Sequence, residues 1–163
     1  MPSELPLPLR GVIPPLITPL TYGGKIDEPG LERLIGMMLK AGVHGIFALG
    51  TTGEAPHLGR QLRAEFLGMV TSCVKGRVPV LAGVTECSVD EAAWMADRSA
   101  EAGCDAVVFA TPHYLPMSQD ELVGFSRALA KRLMLPFVLY NIPSCTGDIF
   151  GVDAVRRIAE LPG

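Results

Sequence analysis

The run Gly50-Thr51-Thr52-Gly53-Glu54 stands where an apolar segment gives way to a helical pattern, and its residue types are those that hold an anion. Glycine lets the backbone approach a ligand closely and takes positive φ, while threonine hydroxyls add donors to the free N–H groups of the turn. The same run also suits a plain strand-to-helix turn capped by its threonines. Further along, Thr111-Pro112-His113-Tyr114 and Tyr140-Asn141-Ile142-Pro143-Ser144 each follow a short apolar run, as do Thr18-Pro19 and Gly83-Val84-Thr85. Tyr114, Tyr140, Thr51 and Thr52 could pass a proton along a chain of hydroxyls, since phenols and alcohols both donate and accept. Each tyrosine could equally pack its ring and bond its hydroxyl to backbone. Glu54 is either an acid–base group or a favourable charge at the start of the next helix.

Such residues need a scaffold that gathers strand ends. Five apolar runs, Gly11 to Thr18, Gly45 to Leu49, Val78 to Val84, Ala106 to Ala110 and Pro136 to Tyr140, recur about every thirty residues, as βα units do. Helical periodicity fills the gaps over Pro29 to Ala41, Arg60 to Val74, Val89 to Ala102, Gln119 to Leu133 and Val152 to Leu161. Gly42 and Gly103 punctuate two of these helices, and Ser118 with Glu121 three residues on reads as a capping box for another. Strands apolar on both faces and alternating with helices predict a parallel sheet covered on both sides, with the chemistry at the C-terminal strand ends. A length of 163 residues favours a doubly wound, flavodoxin-like sheet over a (β/α)8 barrel, which needs about 250.

Composition narrows the ligand. With 48% hydrophobic residues and a mean hydropathy of +0.33, the chain reads as a single domain over residues 1–163 with a large core. A net charge of −3 without a basic block gives no footprint for nucleic acid or an anionic membrane, so a small molecule is the expected partner. Met1 to Arg10 has no signal-peptide character and no apolar run is long enough to span a bilayer, so a cytoplasmic protein is expected. Cys73, Cys87, Cys104 and Cys145 form no C-x-x-C pair, and His44, His57 and His113 are scattered. Free thiols, no metal and no cofactor are expected.

In order, Pro15-Leu16-Ile17-Thr18-Pro19, Gly50-Thr51-Thr52-Gly53-Glu54, Thr111-Pro112-His113-Tyr114 and Tyr140-Asn141-Ile142-Pro143 with Thr146-Gly147 resemble the dihydrodipicolinate synthase and N-acetylneuraminate lyase family of class I pyruvate-dependent aldolases. The resemblance runs over essentially the whole chain from Gly11 onward. It implies a (β/α)8 TIM barrel truncated to about its first five βα units, against the argument from length. It further implies that Thr51 and Thr52 bind the carboxylate of pyruvate, with Thr51 relaying protons. Tyr140 would be the general acid/base of Schiff-base formation and of carbon–carbon bond making or breaking. Tyr114 would be lent across a dimer interface, so a homo-oligomer, dimer or tetramer, is implied for the full-length protein.

Two departures from that pattern matter. Where dihydrodipicolinate synthases carry an arginine two residues after the proline of Tyr-Asn-x-Pro, this chain has Cys145. A neutral thiol forgoes a bidentate charge-assisted contact worth about 1.5–3 kcal/mol or more, which favours a pyruvate-derived 2-oxo sugar acid, or a related hydroxy-oxo acid, over a substrate with a second carboxylate. Cys145 itself reads as a substrate-lining residue, since no basic side chain lies nearby in sequence to make it a nucleophile. The family's Schiff-base lysine lies at the end of the sixth strand, whereas Lys25, Lys40, Lys75 and Lys131 follow no strand and this sequence stops at Gly163. The chain is therefore read as the N-terminal part of a lyase, inactive as it stands. Two other readings stay open: a ligand-binding relative without the lysine, and a flavodoxin-like phosphate binder with Gly50 to Glu54 as its nest, although the Gly-Lys-Ser/Thr ending and G-x-G-x-x-G run are missing.

Overall fold

Every strand alternates apolar side chains to its two faces, and the two faces meet different fates. The computed structural model describes residues 8–161; residues 1–7, most of the Met1 to Arg10 stretch, and Pro162-Gly163 lie outside the described residues. Strands β1 (Ile46–Ala48), β2 (Val80–Gly83), β3 (Ala106–Phe109) and β4 (Phe137–Leu139) form one parallel sheet in the order β1-β2-β3-β4. Ile46 pairs with Val80, Leu81 with Ala106, and Val107 with Phe137. The helices are α1 (Glu28–Lys40), α2 (Arg60–Val74), α3 (Val89–Glu101), α4 (Gln119–Ala130), the single turn α5 (Pro143–Thr146) and α6 (Val152–Ala159).

Ile46, Ala48, Val80, Ala82, Val107 and Phe109 face the helices and join Phe66, Leu67, Met95 and Leu122 in the main core. Phe47, Leu81, Ala106, Val108, Val138 and Tyr140 face the other way and gather into a second cluster with Leu9 and Ile13, to which no helix contributes. This corrects the expectation of helices on both sides. The second face instead curls over itself: the rings of Phe47 on β1 and Tyr140 just beyond β4 meet edge to face, 5.9 Å apart at 90°. Three strand spacings in a flat sheet would hold their backbones about 14 Å apart. Sequential strand order, one-sided helices and strong curvature are the features of a barrel wall. They rule out the doubly wound sheet and with it the flavodoxin-like phosphate binder.

The first expected strand, Gly11 to Thr18, shrinks to one parallel bridge between Pro15 and Phe47. It still lies along β1, with Leu16 N–H donating to Phe47 O (2.7 Å) and Phe47 N–H to Pro14 O (3.0 Å). Pro14 and Pro15 have no N–H to give, so a regular ladder cannot form. The N-terminal end is held by His44, whose N–H donates to Val12 O (2.8 Å) and whose Nδ1 accepts from Val12 N–H (3.1 Å).

The predicted bounds of α2 are those observed, α1, α3, α4 and α6 differ by up to three residues, and α5 was not foreseen. Gly42 (φ 77°) and Gly103 (φ 83°) follow α1 and α3 in left-handed conformation. The Ser118 hydroxyl accepts from Glu121 N–H while the Glu121 carboxylate accepts from Ser118 N–H, closing the capping box. The Ser118 hydroxyl also donates to the Glu121 carboxylate (2.7 Å), and this bond foremost, with that from Ser118 N–H, holds the Glu121 carboxyl below its ordinary range.

All four thiols are free. Burial, then the charge of Asp105, pushes Cys104 from 9.0 up to about 12; burial, then Glu32, raises Cys73. A maleimide at pH 8 is expected to modify the exposed Cys87 and Cys145 quickly, Cys73 slowly and Cys104 only on unfolding, as peptide mass spectrometry would read. Because folding favours the neutral Cys104 thiol, its contribution is complete below about pH 9 and is lost as pH rises toward 12. The slope is at most about 1.4 kcal/mol per pH unit. Cys104→Ala should flatten that part of the stability profile.

Candidate functional site

At the end of β1 the chain turns on Leu49, a buried leucine with φ 57°. A left-handed non-glycine residue costs about 1–2 kcal/mol, so something must hold it there. Gly83 at the end of β2 makes the room: a Cβ on Gly83 would lie 2.0 Å from Leu49 O. Gly50 is pressed on the Phe47 ring, where a Cβ would come within 2.7 Å, and a Cβ on Gly53 would lie 2.9 Å from Leu16 O. The expected positive φ at Gly50 and Gly53 is thus corrected: it falls on Leu49 and Glu54, and the two glycines serve close approach.

Gly53 N–H donates to Gly50 O (3.0 Å), Glu54 N–H donates to Thr51 O (3.0 Å), and Thr18 Oγ1 donates to Gly53 O (2.7 Å). Among the described residues, the amides of Thr51 and Thr52 donate to no carbonyl, and both residues are exposed at the sheet's C-terminal rim. Two unspent N–H groups and two hydroxyls on one turn are a donor set with which an anion could bond. Glu54 heads a short 3-10 turn (Ala55–His57), makes no capping bond with its side chain and does not line the cleft beside it.

That cleft, about 100 Å³, opens among the four strand ends. Gly50 and Thr51 line it from β1, Gly83 and Thr85 from β2, Ala110 and His113 from β3, and Tyr140, Cys145 and Thr146 from β4 and α5. Of the residues singled out in the sequence, Gly50, Thr51, Tyr140 and Cys145 therefore meet in one place. Thr52 opens onto an adjoining hollow over the concave sheet face, shared with Thr51 and Tyr140. Gly53 shapes the turn from behind. Tyr114 is 91% exposed with φ 81° and points away, so one chain does not bring it to Tyr140.

Sequence reasoning set Thr85, His113 and Thr146 at strand ends or in a motif without assigning them a role. Thr85 Oγ1 accepts from Ala110 N–H (2.9 Å) and ties the ends of β2 and β3 together. Buried Thr111 donates to Thr146 Oγ1 (2.6 Å), anchoring α5 and with it the wall that carries Cys145. Farther on, Asn141 exchanges bonds with Phe150 O (3.2 Å) and N–H (3.1 Å), and Asp148 accepts from Met117 N–H (2.7 Å). Thr111→Val, which keeps shape and removes the anchor, is expected to cost about 1 kcal/mol. It should speed alkylation of Cys145 severalfold and leave Cys87 unchanged; equal rates in both proteins would deny Thr111 this role.

Among the described residues, no Lys, Arg, Asp or Glu side chain lines the cleft. Lys25, Lys40, Lys75 and Lys131 are exposed, the last three at or just past helix ends. Next to Thr85 in sequence, Glu86 is ion-paired with Arg63, both largely buried, and the Arg63 Nε is left without a hydrogen-bond partner among the described residues.

The sequence profile described as the Dihydrodipicolinate synthetase family matches residues 8–163. Over 155 residues the chain is 35% identical to the 4-hydroxy-tetrahydrodipicolinate synthase of Methylococcus capsulatus, covering 95% of this chain and 53% of that protein. Its fold matches the dihydrodipicolinate synthase of Bacteroides thetaiotaomicron with a TM-score of 0.91 at 42% identity, over 97% of this chain and 53% of the other. It matches YagE, a prophage protein of Escherichia coli K12 solved in complex with pyruvate, with a TM-score of 0.89 at 35% identity, over 92% and 50% of the two chains. The chain spans about half the length of these relatives. The four parallel strands and their one-sided helices are the N-terminal part of a (β/α)8 barrel.

Proposed function

Because the chain belongs to the dihydrodipicolinate synthetase family, we propose that it is the N-terminal part, a single domain over residues 1–163, of a pyruvate-dependent lyase that makes or breaks a carbon–carbon bond through a Schiff base. The observation that carries this reading is the meeting of Thr51 and Tyr140 in one cleft beside unspent backbone amides. A 2-oxo acid seated by its carboxylate on the Thr51 and Thr52 amides presents its ketone to the cleft. Imine formation needs a proton for the departing hydroxyl, and the half-buried Tyr140 phenol can donate it without bringing a charge into a largely apolar cleft. Thr51, which lines the same cleft from β1, would return the proton. Neither a metal nor an organic cofactor enters these steps.

The amine nucleophile would come from outside these 163 residues, since none of the four lysines lines the cleft. The chain by itself is then inactive. Tyr114, exposed and turned outward, suits a role in the cleft of a second copy, which makes a homo-oligomer, dimer or tetramer, part of the proposal. Cys145 on the wall opposes a second carboxylate and favours a hydroxylated 2-oxo acid as substrate or product. Among the described residues no helix is long and apolar enough to cross a membrane. The reading places the protein in the cytoplasm, acting on a small molecule and not on nucleic acid or membrane.

The lysine-free cleft also favours a second reading, a ligand-binding relative that takes a 2-oxo acid without reacting. Borohydride trapping with pyruvate, read by mass spectrometry, separates the two. No adduct is expected on the 163-residue chain. A product carrying this sequence with the remaining half of the barrel should gain the mass of reduced pyruvate on one lysine. If that longer product stays unmodified while still binding pyruvate, the binding relative is the better account.

A further inference from the structure

We propose that His113 decides the charge of the ligand tail that this cleft accepts: an uncharged, hydroxylated tail when its imidazole is neutral, and a second carboxylate only when it is protonated. The inference rests on the reading of Thr51 and Thr52 as the seat of the first carboxylate.

The polar side chains lining the cleft are Thr51, Thr85, His113, Tyr140, Cys145 and Thr146. Hydroxyls and a thiol can serve a polyol or an aldehyde oxygen, but none of them balances an anion's charge. A carboxylate moved into a part-apolar cleft needs a counter-charge or a set of free donors. The set of free donors is on the β1 turn, where the first carboxylate sits. Of the described lining side chains, the imidazole alone can carry a positive charge.

The backbone aims it there. Tyr114 at φ 81° turns the chain outward, so two consecutive residues part company, Tyr114 to solvent and His113 to the cleft. The Cys87 thiol donates to His113 O (3.2 Å) and holds the loop from behind. The titratable groups around it are few. Tyr140 and Cys145 share the cleft, Cys87 lies on the loop after β2, and Glu86 next to it is taken by Arg63. Asp148, beyond α5, is engaged by Met117 N–H. No carboxylate among the cleft-lining side chains competes for an imidazolium.

Calorimetry of the 163-residue chain with pyruvate and with 2-oxoglutarate, at about pH 5 and pH 8, reads the effect as a ratio of affinities. Dividing by pyruvate cancels whatever pH does to the shared carboxylate seat. The wild-type ratio should shift toward 2-oxoglutarate by roughly fivefold on acidification, and the shift should shrink in high salt. His113→Gln should hold the pH 8 ratio at both values, and His113→Lys should show the acid ratio at both. A wild-type ratio independent of pH, or one that moves equally in His113→Gln, overturns the proposal while leaving the pyruvate seat standing. Pyruvate that fails to bind the wild type at either pH removes the seat itself, and this proposal with it. Should His113→Gln not fold, His113→Lys decides the matter, since a lysine variant whose ratio follows pH as the wild type does is incompatible with the assignment.

Discussion

Replacing Gly83 by alanine is expected to unmake the anion seat and destabilise the chain by about 3 kcal/mol. The methyl would lie 2.0 Å from the carbonyl oxygen of Leu49, a backbone atom that has no flexible end to swing away. Either β2 separates from β1 or Leu49 leaves its left-handed conformation. In the second case the following peptide, Gly50, moves off the Phe47 ring and carries the Thr51 and Thr52 amides with it. Pyruvate affinity should therefore fall at least tenfold even where the fold survives, a loss of about 1.4 kcal/mol. Gly36→Ala and Gly124→Ala are the controls. Both glycines are exposed and helical, and a Cβ on either meets nothing within 4 Å. Each is expected to stabilise by roughly 0.5–1 kcal/mol. Denaturant titration and calorimetry on all three variants decide the matter; a Gly83→Ala protein with wild-type midpoint and affinity would mean that the turn is not held from β2.

The second large effect is on association. The outer edge of β4 carries no strand among the described residues, and the hollow on the concave face beside it is lined by half-buried Val138 over buried Val108 and Leu81. An unpaired edge next to an apolar face is a template for another chain. The 163-residue chain on its own is expected to self-associate or to be poorly soluble. Val138→Lys, a charge on the concave face of the edge strand, should shift it toward monomer without touching the helix-facing core. Light scattering at several concentrations measures both. A monodisperse wild-type monomer would show that the curled face protects itself.

The rhythm of apolar runs and helical stretches was readable residue by residue, because each βα unit depends on local periodicity and on caps such as Ser118 with Glu121. Gly50, Thr51 and Tyr140 were legible as strand-end residues, where a parallel sheet offers unspent backbone groups, and Cys145 only by its place after the Tyr-Asn-x-Pro motif; all four line one cleft. What separates a barrel wall from a doubly wound sheet is curvature. That property resides in contacts such as Phe47 with Tyr140, far apart in the chain, and leaves no local trace. The left-handed turn was misplaced onto glycines for a similar reason. Leu49 has no conformational excuse of its own, and only the bare backbone of Gly83, on the next strand, permits it. The Gly11 to Thr18 segment has the apolar pattern of a strand, while its prolines withhold the donors a ladder requires. His113 and Tyr114 are adjacent in one motif, and only the outward turn at Tyr114 separates the cleft-lining residue from the exposed one.

Sequential strand order also has a bearing on assembly over time. Each pairing joins partners about thirty residues apart, Ile46 with Val80, Leu81 with Ala106, Val107 with Phe137, so no step has to wait for a distant part of the chain. Loop-closure entropy is then nearly the same at every addition, and units can dock one after another as they leave the ribosome. The growing edge passes from β1 to β2 to β3 to β4, and the Thr51-Thr52 turn at the end of β1 is walled by β2, then β3, and then by α5. Under the proposed function, ligand binding is then a late event in a chain whose scaffold is already standing, and it should not begin during synthesis before the Tyr140 to Thr146 segment emerges.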